Sequence, residues 1–543
     1  MQGYQEAYES FDLSRALATM ARPPDEGNNA AIECCDRWCG ENRVALHWAD
    51  ATGAKGNLTF EELRDRSARL ANLFVEWGIE PGDRIAALLP RTPELIVVIL
   101  AAWRAGAVYQ PLFTAFGPKA IEHRLKVSRA RLIVTDDVHR DKLRGVESEA
   151  RVVRVVPSAG SDDLDLSGLA QASPVFEAVL RSLDDPFLMM FTSGTTGAAK
   201  GLYVPLRAVP AFRGYMLDCV GLQEGDQFWN IADPGWAYGL YYAIIGPLSL
   251  GHATLLYNGP FAVAEMVRVI KGNGITNLAG SPTAFRLVIA AGAEAVSEIK
   301  GQLRAVSSAG EPLNPEIARW FAEHLEAPIL DHYGQTELGM VVCSHHALSH
   351  HKARGSAGLP VPGHRVAVLN EKGAELEPGT SGILSVDLAR SPLCWFRGYA
   401  EQPTEAIQDG FYRTGDVAEL NEDGSISFVG RSDDVITSSG YRIGPFEVES
   451  ALVEHDAVTE AAVIGKPDLK RTEIVKAFII LAEGWSPGEE LSEELRQHVR
   501  ARLAAHAYPR EIAYVSDLPK TPSGKIQRFL LRQDEIVRMQ GDR

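Results

Sequence analysis

A loop rich in hydroxyls and glycines follows an apolar run in the N-terminal half of the chain. It spans residues 191–201 (FTSGTTGAAKG), directly after the apolar residues 187–190. Glycine lets the backbone turn with positive φ and approach a ligand closely, while hydroxyl and N–H groups donate hydrogen bonds to phosphate oxygens. The loop therefore predicts a phosphate-binding site. A flexible linker has a similar composition, so the loop alone leaves that alternative open.

The spacing of this loop differs from that of a Walker loop, in which Lys directly follows the second Gly and opens a helix. Here Gly194 and Gly197 are three residues apart, Lys200 follows three residues later, and residues 201–204 have the composition of a strand. An ordinary kinase or ATPase loop is therefore disfavoured.

Four further segments follow the phosphate loop. They are YGQTE at 333–337, YRTGD at 412–416, GRSDD running on to GYR at 430–442, and PKTPSGK at 519–525. In this order they closely resemble the signature set of the adenylate-forming superfamily, which comprises acyl-CoA synthetases, luciferases and the adenylation domains of peptide synthetases. The resemblance extends over most of the chain from about Thr59 onward.

The resemblance implies a binding site for ATP and Mg²⁺. Asp416 would accept both ribose hydroxyls with help from Arg431, Tyr333 would offer a flat face to adenine, and Glu337 would bind Mg²⁺ through hard carboxylate oxygens. The nucleotide-binding residues expected in this way are Thr192, Ser193, Gly194, Thr195, Thr196, Gly197, Lys200, Gly310, Glu311, Pro312, Asp331, His332, Tyr333, Gly334, Gln335, Thr336, Asp416 and Arg431.

Adenylation joins a carboxylate to the α-phosphorus of ATP and expels pyrophosphate, so the enzyme must hold two mutually repelling groups in line. Lys525 is the best candidate for the bridging charge, because an ammonium is a compact point charge on a flexible stem. A unit charge about 4 Å away at an effective dielectric constant near 20 is worth roughly 4 kcal/mol, or about a thousandfold in rate. We expect Lys525, Glu337 and Arg442 to be the catalytic residues.

The second half-reaction needs a thiol, and three features favour coenzyme A. Gly440 leaves room for a narrow pantetheine passage beside Ser439, Arg442 follows it, and Arg496 and Arg500 share one helix face as a candidate 3′-phosphate site. A solvated face remains the alternative for these two arginines. Transfer of the acyl group to a carrier protein is the alternative function, and a non-catalytic nucleotide-binding protein is disfavoured by intact Lys525, Glu337 and Asp416.

The acyl pocket is expected at Trp236, Ala237, Tyr238 and Gly334, which correspond to pocket-lining positions of related synthetases. Acetate enzymes carry tryptophan where this chain has Gly334, so the resemblance implies an open pocket floor and an acid larger than acetate. Because Tyr238 can refill part of the space, propionate, butyrate, branched and aromatic acids all remain open.

In its sequence context Lys525 also resembles the acetylation sites of acyl-CoA synthetases. A lysine acetyltransferase and a deacetylase are therefore expected partners, since acetylation removes the charge.

Composition limits the other classes of partner. The net charge of −17 argues against a nucleic-acid partner, because phosphate backbones need clustered Lys and Arg. The longest apolar run, 95–103, is about half of the roughly 20 residues that a membrane span needs, and the N-terminus lacks a signal pattern. A soluble cytoplasmic protein is expected. Cys34, Cys35 and Cys39 are expected to be free thiols and not a metal site.

Alternating strand and helix patterns predict an α/β fold with mostly buried parallel strands. The predicted strands are 84–89, 130–135, 274–280 and 303–308, with a buried helix at 92–105. After the polar stretch 430–440, helices are predicted at 446–454 and 489–505 and strands at 461–464 and 475–481. We expect a large N-terminal domain of mostly parallel sheets with helices (1–432) and a small α+β C-terminal domain (433–543). The resemblance implies that a hinge at Asp433 joins them.

Two weaker candidates concern cations. Val453, His455 and Val458 lie in a segment that resembles a loop holding a structural cation through backbone oxygens in some acetyl-CoA synthetases. The histidines 345, 346, 350 and 351 have no acidic partner at ligand spacing, so an exposed loop is expected there.

Overall fold

The computed structural model describes residues 2–156, 163–192, 199–353, 355–438, 441–468, 471–503, 507–521 and 525–541. The strands are, in chain order, β1 Gln2–Gly3, β2 Val44–Asp50, β3 Lys55–Thr59, β4 Arg84–Leu88, β5 Val108–Pro111, β6 Leu132–Thr135, β7 Arg151–Arg154, β8 Leu164–Asp165, β9 Pro186–Thr192, β10 Lys200–Pro205, β11 Phe228–Asn230, β12 Thr254–Asn258, β13 Asn277–Gly280, β14 Ala305–Ala309, β15 Ile329–Gln335, β16 Gly339–Cys343, β17 Leu348–Ser349, β18 Leu359–Pro360, β19 Val366–Leu369, β20 Ser381–Asp387, β21 Ile407–Gln408, β22 Phe411–Leu420, β23 Ile426–Arg431, β24 Ile436–Ser438, β25 Tyr441–Ile443, β26 Val458–Asp468, β27 Thr472–Leu481 and β28 Glu511–Tyr514.

The α-helices are, in chain order, α1 Tyr4–Glu9, α2 Leu13–Leu17, α3 Ala30–Cys34, α4 Phe60–Glu76, α5 Pro93–Arg104, α6 Pro118–Ser128, α7 Asp137–Arg140, α8 Val209–Gly214, α9 Ala237–Gly239, α10 Gly246–Ser249, α11 Val263–Asn273, α12 Pro282–Ala295, α13 Pro315–Trp320, α14 Pro445–Val453, α15 Glu489–Arg502 and α16 Arg528–Gly541. None of the helices in the described ranges is long and apolar enough to cross a membrane.

Two large sheets form the N-terminal part. One has seven strands in the order β10-β9-β5-β4-β6-β7-β8, and its strands are parallel except for the pair β9–β10. The other has nine strands in the order β18-β16-β15-β14-β13-β11-β12-β2-β3, with a parallel interior and antiparallel edges. Parallel strands direct their carboxyl ends to one edge, where ligand loops can collect.

Helix α5 shows how the sequence builds this core. Every residue from Leu95 to Arg104 is buried, which explains why its sequence is apolar around the whole helix. Pro93 occupies the first turn, where its missing N–H leaves no hydrogen bond unmade.

A third sheet of the N-terminal part is antiparallel and was not predicted. It has the order β19-β20-β22-β21, and β23 pairs with β22. Several of its strands are short or interrupted by bulges, so neither strict alternation nor a long apolar run marks them in the sequence.

The C-terminal part has its own sheet and its own core. Its strands follow the order β25-β24-β27-β26, with β28 parallel to β27. Buried residues such as Ile436, Val448, Val463 and Leu495 pack together in this part. The structure therefore has the predicted fold class, with parallel sheets followed by a smaller α+β unit.

Most predicted elements occur with small shifts at their ends. The predicted helix 489–505 is shorter in the structure, because α15 ends at Arg502 and Leu503 is extended (φ −115°, ψ −161°). Leu491, Leu495 and Val499 are buried on one face of α15, and Leu503 packs, partly buried, against the same core. The cysteines at 34, 35 and 39 are free, as expected.

Candidate active site

Strands β22 and β23 place an acidic and a basic side chain opposite each other. Asp416 pairs with Arg431 in the register, and Arg431 Nη1 donates to Asp416 Oδ1 over 3.1 Å. Gly415 precedes Asp416 with a φ of +75°, and an added Cβ would lie 3.4 Å from Arg431 Nη2. Glycine at this position therefore permits the positive φ and leaves room for the guanidinium.

Strand β15 supplies two more donors to the same carboxylate. Tyr333 and Gln335 are two residues apart, so their side chains project from one face of the strand. The Tyr333 hydroxyl donates to Asp416 Oδ2 over 2.5 Å, and Gln335 Nε2 donates to it over 2.9 Å. Tyr412 donates to Gln335 Oε1 over 3.0 Å, which orients the amide. The YGQTE and YRTGD segments thus meet at one buried carboxylate.

Asp416 is 4% exposed. Burial raises the pKa of its carboxyl, while Arg431, Tyr333 and Gln335 lower it and leave the pKa above the ordinary value. The three donors fix the side chain in one position without any ligand, which is the preorganisation that a binding site needs.

Glu337 follows β15 in a short turn and is 7% exposed. Burial raises the pKa of its carboxyl, and a hydrogen bond from Tyr399 offsets part of that rise. The Tyr399 hydroxyl donates to Glu337 Oε1 over 2.7 Å. Tyr241 donates to the carbonyl of Thr336 over 3.0 Å and so fixes the turn itself.

Tyr399 also connects this carboxylate to the phosphate loop. Its segment pairs with β10 through the bridge Leu202–Tyr399 and the hydrogen bond from Ala400 N to the carbonyl of Gly201. The Lys200 ammonium lies 5.0 Å from the centre of the Tyr399 ring, within range of a cation–π interaction. Thr192 ends β9 and pairs with Lys200. The loop residues Ser193, Gly194, Thr195, Thr196 and Gly197 lie outside the described residues, so their predicted role is not tested.

The turn after β14 carries the expected nucleotide-binding residues Gly310, Glu311 and Pro312, and it is fastened to β15. Asp331 Oδ2 accepts a hydrogen bond from Leu313 N over 3.2 Å, and burial raises the pKa of Asp331 to about 7. Gly310 has a φ of +99°. The Glu311 side chain pairs instead with Arg286 at 2.8 Å and accepts from Thr283, so it points toward α12, and Pro312 follows it in the turn.

His332 belongs to a buried polar chain that runs toward the expected acyl pocket. One ring nitrogen, Nε2, lies 2.9 Å from the carbonyl of Ser344, and the other, Nδ1, lies 2.7 Å from the Tyr215 hydroxyl. Burial lowers the pKa of His332 well below its usual value, so the ring is neutral. A neutral ring that donates from Nε2 must accept at Nδ1. The Tyr238 hydroxyl lies 3.4 Å from that of Tyr215, at the end of the chain.

The other expected pocket residues differ in their surroundings. Ala237 and Tyr238 pack against the main N-terminal core, whereas Trp236 packs with Phe113 and Phe116 in a separate cluster.

Gly334 does not face an open slot in this structure. An added Cβ would lie 2.1 Å from the carbonyl oxygen of Gly339 and 2.7 Å from Met340 Cα. The register of β15 and β16 shifts at this point, so the two backbones approach closely. A larger side chain at this position requires β16 to move, which corrects the expectation of an open floor here.

Lys525 lies in the C-terminal part and is exposed. Its backbone N–H donates to Thr521 Oγ1 over 3.1 Å, and its carbonyl accepts from Thr521 N over 2.8 Å. Asp433 lies 3.5 Å from Arg431 Nε. The backbone of Arg442 lies in β25, but its side chain and residues Ser439 and Gly440 are outside the described part, so their expected roles remain predictions.

The two arginines proposed for coenzyme A differ in their contacts. Arg496 already pairs with Glu489 at 2.8 Å and Glu493 at 3.3 Å. The Arg500 guanidinium instead stacks 3.8 Å from the centre of the Tyr508 ring and is exposed. Arg500 is therefore the freer of the two to meet a phosphate.

The segment 453–458, where a cation was expected by resemblance, forms a hydrogen-bonded turn. Val458 N donates to the carbonyl of His455 over 2.9 Å, and the His455 ring lies 3.2 Å from Glu494. Val453 ends α14. The cation remains a prediction.

The prediction that the histidine cluster lies in an exposed loop is wrong for His345 and His346. His345 is 3% exposed, and His346 Nε2 donates to the carbonyl of Val306 over 3.0 Å. Burial lowers the pKa of His345 to about 3 and that of His346 to about 4. Both rings are thus neutral parts of the core next to β16. Among the residues described, no group of three or more His, Cys, Asp or Glu side chains could hold a metal ion.

Sequence reasoning missed Tyr399, Tyr412 and Tyr215 as parts of the site. Tyr399 is 62 positions from Glu337 and Tyr215 is 117 positions from His332. Tyr412 stood inside a recognised motif, which was the one available signal. Tyr399 and Tyr215 reach the site through the sheet topology, which cannot be inferred from local spacing in the sequence.

Two family models match the chain. One, described as AMP-binding enzyme, matches residues 35–400, and the other, AMP-binding enzyme C-terminal domain, matches residues 447–525. The acetyl-coenzyme A synthetase of Bacillus subtilis (strain 168) is 37% identical, and the match covers 100% of this chain and 96% of that protein. The human mitochondrial acyl-coenzyme A synthetase ACSM5 is 36% identical, with 97% and 93% covered.

Solved structures agree with these matches. The Brucella canis acyl-CoA synthetase is 57% identical with a TM-score of 0.81, covering 99% of this chain and 100% of that one. A benzoate CoA ligase from Burkholderia xenovorans LB400 is 28% identical with a TM-score of 0.81, covering 93% and 100%. Because one family model matches more than half of the chain and relatives above 30% identity span nearly all of it, the chain belongs to the AMP-binding enzyme family.

Proposed function

We propose that this protein is an AMP-forming acyl-CoA synthetase, an acid–thiol ligase. It uses ATP to convert a small to medium carboxylic acid into an acyl-adenylate with release of pyrophosphate, and then transfers the acyl group to coenzyme A. The observation that carries the proposal is the buried Asp416 carboxylate with its three donors. Two of these donors, Tyr333 and Gln335, lie directly before the Glu337 that pairs with Tyr399.

The nucleotide would bind between β15 and β22. Asp416 would accept the ribose hydroxyls, Tyr333 would lie against adenine, and the loop between β9 and β10 would surround the phosphates. Lys200, at the start of β10, would supply positive charge to these phosphates.

Glu337 fits a Mg²⁺ ligand chemically. It is a buried carboxylate with Oε1 bonded to Tyr399, and Mg²⁺ prefers oxygen ligands that leave several water molecules in place. The ion would neutralise phosphate charge when bound. Glu337 would hold it, and Tyr399 would keep the carboxylate in one orientation.

Lys525 would act only in the first half-reaction. We propose that residues 1–432 and 433–543 are separate domains, and that rotation at Asp433 brings Lys525 to the carboxylate and then exchanges it for the segment around Gly440 and Arg442. The separate apolar core of the C-terminal part supports this division. Arg500 would contact a phosphate of coenzyme A.

The acid would bind near Tyr238 at the end of the His332–Tyr215 chain. Relatives are named acetyl-, acyl- and benzoate-CoA ligases, so aliphatic and aromatic acids both belong in the test. Acetylation of Lys525 would remove its charge and stop the first half-reaction. Full activity of protein homogeneously acetylated at Lys525 would exclude that regulation.

The test is a screen for pyrophosphate release over carboxylic acids of about two to twelve carbons, including benzoate, with and without coenzyme A. We expect acid-dependent pyrophosphate release and a thioester product that requires coenzyme A. Multiple turnovers without coenzyme A, or acyl transfer only to a carrier protein, would contradict the proposal.

A further inference from the structure

A cluster of charged residues joins the chain that leaves β23 to the helix that follows Lys525. Asp434 comes directly after Asp433, and α16 begins at Arg528, three residues after Lys525. These two segments are distant in sequence but meet through ion pairs. The cluster has no part in the nucleotide contacts described above.

Arg528 makes the strongest of these contacts. Its Nε donates to Glu449 Oε1 over 2.9 Å and its Nη2 donates to Glu449 Oε2 over 2.6 Å. This is a two-point guanidinium–carboxylate pair, which fixes direction as well as distance. Glu449 is 7% exposed and also accepts from Val463 N over 2.7 Å, so α14, β26 and α16 meet at one carboxylate.

Asp434 is linked to α16 at two points. Arg528 Nη1 lies 3.8 Å from Asp434 Oδ2, and Arg532, one helical turn later, donates to Asp434 Oδ1 over 3.2 Å. The backbone N–H of Asp434 donates to the carbonyl of Arg431 over 3.0 Å. Arg431 is the residue that pairs with Asp416, so the contacts continue to the nucleotide site.

The N-terminal part also acts on Arg528. Burial alone lowers the pKa of Arg528, but Glu449, Asp434 and, with a smaller effect, Glu311 raise it above its usual value. Glu311 belongs to the turn after β14 and is one of the residues expected to bind the nucleotide.

The turn that carries Lys525 has few other supports among the residues described. Thr521 and Lys525 exchange two hydrogen bonds, Gln527 N donates to the carbonyl of Pro519, and Lys520 pairs with Glu460 at 2.8 Å. Lys525 itself is exposed. The position of the first residue of α16 therefore sets the direction in which the chain leaves this turn.

We propose that Arg528 is a positioning residue for Lys525: by joining Glu449 to Asp434, it fixes the start of α16 and so directs the lysine relative to the segment that leaves Asp433. This inference rests on the proposed role of Lys525 in adenylation. It assigns Arg528 no contact with substrate. A small misplacement of a reacting group lowers rate strongly, because orientation supplies much of the rate enhancement.

The experiment compares two half-reactions in Arg528→Gln and Arg528→Lys. Acid-dependent pyrophosphate exchange reports adenylation, and thioester formation from supplied acyl-adenylate reports the second step. We expect exchange in Arg528→Gln to fall about tenfold or more, while the second step changes by less than about twofold. Lysine keeps the charge but not the two-point geometry, so Arg528→Lys should recover only part of the exchange rate. Arg538→Gln, a mostly exposed position on the same helix, is the matched control and should leave both steps unchanged.

A second variant separates positioning from folding. Arg528→Gln leaves the buried Glu449 unpaired, whereas the double variant Arg528→Gln/Glu449→Gln removes both charges and should recover Tm. Positioning predicts that the double variant remains slow in pyrophosphate exchange. The proposal is overturned if the double variant regains exchange together with Tm, or if Arg528→Gln lowers both half-reactions equally. If the parent protein forms no acyl-CoA with any acid, the proposed function fails before Arg528 is tested.

Discussion

The Asp416 cluster and the Lys525 turn represent two opposite ways of building a functional site. Asp416 is buried and held by three donors from two strands, β15 and β23. Lys525 is exposed, and its turn is closed by hydrogen bonds between Thr521 and Lys525. Charges that bind a constant part of the substrate can be fixed in advance. A charge that serves one of two reactions at the same place must be able to leave, so it cannot be buried with permanent partners.

Removal of the Lys525 charge should have the largest effect. Lys525→Ala should lower adenylation about a thousandfold and spare thioester formation from supplied acyl-adenylate, because in the proposed mechanism only the first step needs this cation. The two half-reactions are measured separately, as pyrophosphate exchange and thioester yield. Lys372→Ala, an exposed lysine of the N-terminal part, is the control. Equal loss of both half-reactions would contradict a role of Lys525 in the first step alone.

Crowding at Gly334 tests how rigid the nucleotide region is. Gly334→Ala should cost about 1 to 3 kcal/mol of stability, because its Cβ would overlap the Gly339 carbonyl. Gly117→Ala has open space around the added Cβ and should leave Tm almost unchanged. If Gly334→Ala keeps the parent Tm and the preference among acids shifts, the position does face the acyl group as first expected.

The Tyr399–Glu337 hydrogen bond should set the acid limb of activity. In its proposed role Glu337 must be ionised to bind Mg²⁺, and its pKa is already raised by burial. Tyr399→Phe removes a hydrogen bond to the charged form, so the pKa rises further and the acid limb moves to higher pH, by about one unit for a bond of about 1.5 kcal/mol.

The measurement is the pH dependence of pyrophosphate exchange at subsaturating Mg²⁺. Tyr257→Phe is a matched control, because Tyr257 donates over the same 2.7 Å to Glu265, a carboxylate on the surface. An unchanged acid limb in Tyr399→Phe would mean that Glu337 does not control this step.

The smallest effect is expected at the coenzyme A face. Arg500→Ala should raise KM for coenzyme A about fivefold, since an exposed charge is screened by salt. Arg496→Ala should change KM less, because Arg496 is already paired with Glu489 and Glu493. A larger change at Arg496 would reverse the assignment. Raising ionic strength should reduce the difference between Arg500→Ala and the parent.

The sequence predicted the fold class and the meeting of two motifs, but not the geometry between them. Short apolar runs that alternate with helix patterns indicated the parallel strands, because such strands are buried on both faces. The antiparallel sheet that carries Asp416 was missed, since short, bulged strands lack a regular period. Tyr399 and Tyr215 could not be assigned because their partners are far along the chain.

Gly334 shows a different limit. Its identity agreed with an open pocket, yet the bulge between β15 and β16 makes glycine necessary for another reason. A residue type can report a close backbone approach or a space for a ligand, and only the neighbouring strand decides between them.

A carboxylate has room for about four hydrogen bonds, and Asp416 already accepts three from Arg431, Tyr333 and Gln335. A ribose diol brings two donors of its own. On the proposed role of Asp416, the incoming sugar and the resident donors therefore compete for the last positions, and one resident must give way each time a nucleotide enters. Nucleotide binding then costs Asp416 one of its resident hydrogen bonds, which is regained when AMP leaves, and this favours release of the product over its tight retention.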